Sequence, residues 1–167
     1  GERLSLRIFK ESDISDDYIS WLNDSEIVRF SNQRFKAHDR KTCEAFFNSI
    51  NSSDAIFILI THIESEEVLG TMTIYFSINH ETADIGIMLG NKSFWNQGLG
   101  EEAWCVLMDF LLENSFVRKV TGGTLSCNEG MMRIFEKVGM VLDGVRKDHE
   151  LIDGKPYDIV HFAKFSP

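Results

Sequence analysis

The chain has 167 residues, 43% of them apolar and 26% charged, with a formal net charge of −9. That length allows a single domain, 1–167, with a sizeable core, and that apolar content excludes a disordered chain. The acidic balance excludes a nucleic-acid partner, which needs a basic face, and no apolar run approaches the ~20 residues of a membrane helix. The opening GERLSLRIFKESD has no apolar stretch of the signal-peptide kind. Cys43, Cys105 and Cys127 are odd in number and lack C-x-x-C spacing, which predicts reduced thiols and a cytoplasmic protein. His38, His62, His80, His149 and His161 show neither H-x-x-x-H nor H-E-x-x-H spacing, so no metal is expected.

Leu4, Leu6 and Ile8 alternate with polar residues and predict a short, half-buried strand. Residues 12–17, SDISDD, carry turn and N-cap signals, and a helix is expected through Tyr18, Ile19, Trp21 and Leu22. Residues 31–38, SNQRFKAH, read as a polar connection. A second helix is expected from Arg40 or Lys41 to Ile50, with Cys43, Phe46, Phe47 and Ile50 inward. The continuous apolar run 55–60 predicts a strand buried on both faces. Residues 64–67 form a turn, 68–76 the next strand, 79–82 another turn and 83–89 a third strand, an antiparallel meander.

The sequence then reads GNKSFWNQGLGEEA. Leu99, Ala103, Val106, Leu107, Phe110 and Leu111 fall on one stripe of an amphipathic helix that begins inside this turn. Strand, glycine turn and helix start make an anion cradle. The first amides of a helix have no intrahelical partner, the helix dipole is positive there, and Gly98 and Gly100 carry no Cβ to hold a phosphate off. Gly98-x-Gly100-x-x-Ala103 formally fits a dinucleotide fingerprint, but the acidic residue required about 20 positions later is missing from 120–125. A P-loop is excluded because no G-K-[ST] follows.

Beyond the helix, 117–125 reads as a strand interrupted by Gly122-Gly123, which mark a bulge or a close backbone approach. Asn128 caps a short helix through Val138, ended by Gly139. Residues 140–149 and 157–165 form a last hairpin across 153–156.

The turn resembles the acyl-CoA loop [QR]-x-x-G-x-[GA] of the GNAT acetyltransferases, with Trp95 at the Gln/Arg position, and FWNQGLGEEA resembles the variant found in the RimJ/RimL-like branch. Ala83-Asp84-Ile85-Gly86 resembles that branch's A-E-I-G strand. The segment 128–140 resembles its N-x-x-S-x-x-[VL]-x-E-K-x-G-F motif, and the opening WLND at 21–24 and the closing 148–158 agree as well. The resemblance implies an α+β, three-layer GNAT fold. Its sheet is mostly antiparallel, and the strands at 83–89 and 117–125 splay into a V that admits acetyl-CoA. It implies donor contacts at Met88, Leu89, Trp95, Asn96, Gln97, Gly98, Leu99, Gly100, Glu101, Asn128 and Phe135.

Transfer to an amine by direct attack needs a base, an oxyanion donor and proximity, and no covalent enzyme intermediate. Asp84 stands where relatives carry a basic Glu, with Glu150 and His149 as alternatives. The oxyanion donor is expected to be a backbone N–H at Met88 or Leu89. The chain departs from the pattern for the acid: Phe135 replaces a Tyr and Met131 a Ser. On the acceptor side the resemblance implies contacts from Gln33, Arg34 and His38, with Glu150 on the late hairpin. A small amine, such as an amino sugar, is favoured over a protein N-terminus. A CoA-binding protein without turnover and a nucleotide-binding module stay as alternatives, and a homodimer stays open.

Overall fold

The computed structural model describes residues 1–114 and 116–167. Its elements follow in the order β1 (Leu4–Ile8), α1 (Asp16–Leu22), α2 (Arg40–Asn51), β2 (Ile56–His62), β3 (Val68–Ser77), β4 (Thr82–Leu89), α3 (Leu99–Glu113), β5 (Lys119–Leu125), α4 (Glu129–Lys137), β6 (Val141–Ile152) and β7 (Lys155–Phe165). The strands form one sheet in the order β1-β2-β3-β4-β5-β7-β6. All neighbours are antiparallel except β4 and β5. This is the mixed sheet of the GNAT acyltransferase fold.

Helix starts are set by short polar side chains that take up otherwise unpaired amides. Ser15 accepts from the Tyr18 amide at α1, Asp39 from Thr42 at α2 and Asn128 from Met131 at α4. Alternation then sends side chains to two faces. On one face Ile58, Ile60, Met72, Ile74, Ala83, Ile85 and Val120 bury against α3 and α4 in the larger apolar cluster. On the other, Phe57 and Leu59 pack with Phe9, Tyr18, Leu22, Cys43 and Ile50 under α1 and α2.

Three expectations change in detail. The buried stripe of α3 is Leu99, Ala103, Trp104, Leu107, Met108, Leu111 and Leu112. Phe110, placed in that stripe from the spacing, is 53% exposed and packs on Phe116 at the surface, 5.5 Å between centroids. The helix is apolar on most of its circumference, so periodicity left its rotation undetermined. The last turn is tighter than expected, because Ile152 already pairs with Lys155 and Leu151 with Pro156. Asp153 and Gly154, with φ of 50° and 77°, make the two-residue connection. Residues 32–35, read as part of an irregular connection, form a turn of 3-10 helix whose N-cap is Ser31.

Candidate active site

β4 and β5 run side by side for only three residue pairs: Thr82 with Lys119, Ala83 with Val120 and Asp84 with Thr121. There the Thr121 hydroxyl donates to Asp84 Oδ1 at 2.7 Å. Beyond that point β5 stays paired with β7 through Leu125 and β4 stays paired with β3 through Leu89, so the two part company and leave a wedge.

The alternation of backbone groups along β4 decides what faces the wedge. The Met88 carbonyl crowds Gly70 on β3, where an added Cβ would lie 1.9 Å from it. The Ala83 carbonyl instead accepts from Thr121 Oγ1 at 3.5 Å, and that of Leu89 from Trp95 Nε1 at 2.9 Å. Odd-numbered residues therefore turn their N–H and C=O toward β5, and Ile85 and Ile87 present theirs to the opening. Of the two amides named from sequence, Leu89's faces the wedge and Met88's faces β3. The Met88 side chain still lines the cavity described next.

A cavity of about 690 Å³ runs through the wedge and joins both faces of the sheet. Leu89, Trp104, Asn128 and Met131 line it on the α3/α4 side; Tyr18, Phe46, Phe57, Thr71, Thr73 and Tyr75 line it on the α1/α2 side. Gln33 and His38 reach it from the 31–38 segment. That segment is held from two directions. Asn23 Oδ1 accepts from the His38 amide, and its Nδ2 donates to the His38 carbonyl. Arg34 does not line the cavity; its guanidinium donates to the carbonyls of Ser31 and Leu151 and lies over Phe35. Arg34 thus ties the segment to the β6–β7 hairpin.

A second cavity of about 280 Å³ lies on the same sheet face, lined by Asp84, Glu150, His161, Phe30 and Asn32 among others. It shares Phe30, Gly123 and Thr124 with the larger one. Asp84 is open to the cavity but has enough protein around it for desolvation to raise its pKa above the ordinary carboxylate value. The Thr121 hydrogen bond and the positive charge available on His161 oppose that rise. His149, the other base suggested by sequence, is exposed on β6 and lines neither cavity.

At the start of α3 the amides of Leu99, Gly100 and Glu101 find no acceptor among the described residues, and the first bond runs from Glu102 to the Gly98 carbonyl. Gly98 sits at φ 77°, a left-handed conformation costly for any other residue. Gly100 has a different reason: an added Cβ would stand 3.0 Å from Leu89 Cδ1 and 3.5 Å from Ile134 Cδ1. Its missing side chain faces the packed end of β4, a packing reason for this glycine that the sequence reading of phosphate clearance did not include. Glu101 and Glu102 are both matched by cations from other elements. Lys137 Nζ lies 2.9 Å from Glu101, and Arg3 Nε lies 2.8 Å from Glu102 while its Nη1 donates to the Gln97 carbonyl. Asn96 is exposed beside them with φ 59°, and Gln97 Nε2 donates to the Ser93 carbonyl.

One expected donor contact, Phe135, takes another role, and Asn128 is bonded to the chain around it. Phe135 is fully buried, stacked on Phe162 at 4.8 Å and edge-on to Trp104 at 5.4 Å, and lines neither cavity. An aromatic residue without a hydroxyl has no reason to reach the wedge, and the core claims it. Asn128 lines the cavity but spends its amide on capping α4 and on Thr124 Oγ1 at 3.1 Å. The thiols of Cys43 and Cys105 are both pushed up by burial, and Cys105 donates to Asp109, so neither is an activated nucleophile. Among the described residues no three His, Cys, Asp or Glu side chains gather where a metal could bind, and no helix is long and apolar enough to cross a membrane.

Sequence reasoning missed Arg3, Thr121 and His161. Arg3 lies outside any motif, and the other two become neighbours of Asp84 only through the register of β4, β5 and β7, which no local pattern encodes.

The sequence matches the family described as acetyltransferase (GNAT) domain over residues 3–141. No curated protein matches it. Among solved structures it is similar to a GNAT-family acetyltransferase from Bacillus anthracis, at 17% identity with a TM-score of 0.82, covering 98% of this chain and 95% of that one. It is similar at 16% identity to RimL, a ribosomal L7/L12 alpha-N-protein acetyltransferase in complex with coenzyme A, with a TM-score of 0.85 and coverage of 99% and 96%. A spermidine N-acetyltransferase from Vibrio cholerae, in complex with CoA and spermine, gives 16% identity, a TM-score of 0.85 and coverage of 99% and 97%.

Proposed function

The chain belongs to the GNAT acetyltransferase family, and from that premise we propose that it moves an acetyl group from acetyl-CoA to the primary amine of a small molecule. The observation that carries this reading is the wedge beyond Asp84 and Thr121, with a cavity through it that joins the two faces of the sheet. An extended amide-containing chain laid in the wedge would meet the free backbone groups of Ile85 and Ile87 as a further strand would. The diphosphate would then lie against the unpaired amides of Leu99, Gly100 and Glu101. The carboxylates of Glu101 and Glu102 do not repel it in this reading, because Lys137 and Arg3 neutralise them.

Acceptor size follows from the roof. Residues 31–38 and the β6–β7 hairpin are strapped together by Arg34, which leaves a half-open, aromatic-walled space more suited to a compact amine than to a folded protein. Gln33 and His38 are polar contacts for it, and Asp84 and Glu150 give an ammonium group two carboxylates. An amino sugar fits this mixture of aromatic platform and polar rim. The solved relatives include one named for a protein N-terminus and one for spermidine, so the fold itself accommodates more than one amine class. We assign the chain to the RimJ/RimL-like branch on the order and spacing of its motifs, as one GNAT domain over 1–167. The free thiols favour a cytoplasmic setting. Thiol release from acetyl-CoA, followed with amino sugars, polyamines and an N-terminal peptide, tests the reading. Turnover with a small amine is expected; turnover with the peptide alone would reverse the acceptor class, and coenzyme binding without any turnover would remove the enzyme.

A further inference from the structure

We propose that His161 is the proton acceptor of the transfer, its imidazole standing at the fork of the wedge opposite Gly123. The proposal rests on the acetyl-transfer reading above. His161 on β7 pairs directly with Gly123 on β5, so the two share a sheet face. Gly123 lines both cavities and His161 the smaller one, which makes this pair the wall between them. The missing side chain is what leaves the ring its place: a Cβ on Gly123 would lie 2.9 Å from His161 Nδ1. Its neighbour Gly122 clears the opposite face in the same way, since a Cβ there would lie 2.5 Å from the Trp104 ring. β5 is thus reduced to bare backbone where the strands separate, and the imidazole occupies the room on the acceptor side.

Neither ring nitrogen of His161 has a hydrogen-bond partner among the described residues. A half-buried imidazole with no structural bond is free to exchange a proton with a ligand. The groups around it set the charge. Asp84 faces it from β4 and Glu150 from β6, Asn32 approaches from the 32–35 turn, and Arg146 on β6, in register with Ile159 on β7, lies further along the same face. Two carboxylates line the same cavity as the ring and draw in the acceptor as an ammonium ion. Asp84 is tied to β5 by the Thr121 hydroxyl, which donates to its Oδ1. Its part is to position and stabilise.

The step balances simply. The imidazole takes one proton from the ammonium group. The freed lone pair forms the C–N bond at the thioester carbon, and the C–S pair leaves with sulfur. The second nitrogen proton passes through water to the thiolate, and the imidazolium returns its proton to solvent.

The test is the pH dependence of kcat/KM, with whichever small amine the panel identifies, for the wild type, His161→Gln, His161→Ala and Gly123→Ala. Loss of about 100-fold or more is expected in His161→Gln, with the acidic limb of the profile abolished. Free imidazole should restore part of the rate in His161→Ala, and acetyl-CoA affinity should stay within twofold throughout. Gly123→Ala, which crowds the ring, should fall on the rate alone. Turnover in a folded His161→Gln with the profile intact would overturn the assignment and leave the acetyltransferase reading standing. A wild type that binds acetyl-CoA but turns over no amine would overturn both.

Discussion

The two faces of the sheet are built to different ends. Against α3 and α4 the side chains close everywhere but at the wedge: Trp104, Met108, Phe135 and Val120 have essentially no exposed surface, and the buried Trp104 indole N–H finds the Met140 sulfur at 3.3 Å. Against α1 and α2 a smaller cluster packs only at the β1–β2 end, and the region over β4 and β5 is left as cavity. The same alternating strands supply both faces, so the difference lies in what the helices bring. α3 offers an almost continuous apolar surface, whereas α1 and α2 are short and amphipathic and are joined by a polar segment that spans the gap without filling it. The larger core lies on one side, and most of the cavity wall lies on the other.

The largest effect that could break this contrast is Trp104→Ala. Truncating a fully buried indole should cost about 3–5 kcal/mol by urea unfolding; a loss under about 1 kcal/mol would mean the closed face is not the stabilising one. Gly100→Val comes next. Its Cβ meets Leu89 and Ile134, so overpacking of about 1–3 kcal/mol is expected in the unfolding midpoint. Unchanged stability with lost acetyl-CoA affinity would return the glycine to the ligand side.

On the open face, Arg7 grips Asp13 with both terminal nitrogens at 2.7 Å, below α1. Asp13→Asn should cost about 0.5–1 kcal/mol at pH 7, since Arg7 is half exposed. The Arg7 hydrogen bond lowers the Asp13 pKa when folded. Its contribution is therefore present above the unfolded carboxylate pKa and fades as pH falls through the folded one, and wild type and variant should converge in acid. Asp84→Asn should show the smallest change in stability, and of opposite sign. Burial raises that carboxyl's pKa, so its stabilisation belongs to low pH and is lost as pH rises through the carboxylate range. At neutral pH the amide should be at least as stable as wild type by thermal melt, while the acetylation rate falls. A clear drop in melting temperature would show Asp84 to be a structural partner instead.

The sequence made most of the frame legible because its signals are local. Ser15, Asp39 and Asn128 announce helix starts, and Gly98 a left-handed turn, each within a few residues of its partner. The order of elements, read with the family resemblance, led to the parallel β4–β5 pair. What stayed hidden depends on distant pieces meeting. The rotation of α3, the burial of Phe135 against Phe162 and the use of Arg34 as a strap could be seen only once the sheet had put them together. The same holds for the group around Asp84, which draws on β4, β5, β6 and β7 and has no footprint in any one stretch.

The three-pair seam between β4 and β5 has a mechanical meaning. Among the described residues it is the one ladder joining β1–β4 to the β5-β7-β6 half, so the sheet reads as two plates clasped at one corner, with α3 as the strap between them. Hydrogen exchange should report it: the amides of Ile85 and Ile87, unprotected on the wedge side, should slow most when acetyl-CoA is added, because a ligand lying there closes the clasp along its whole length.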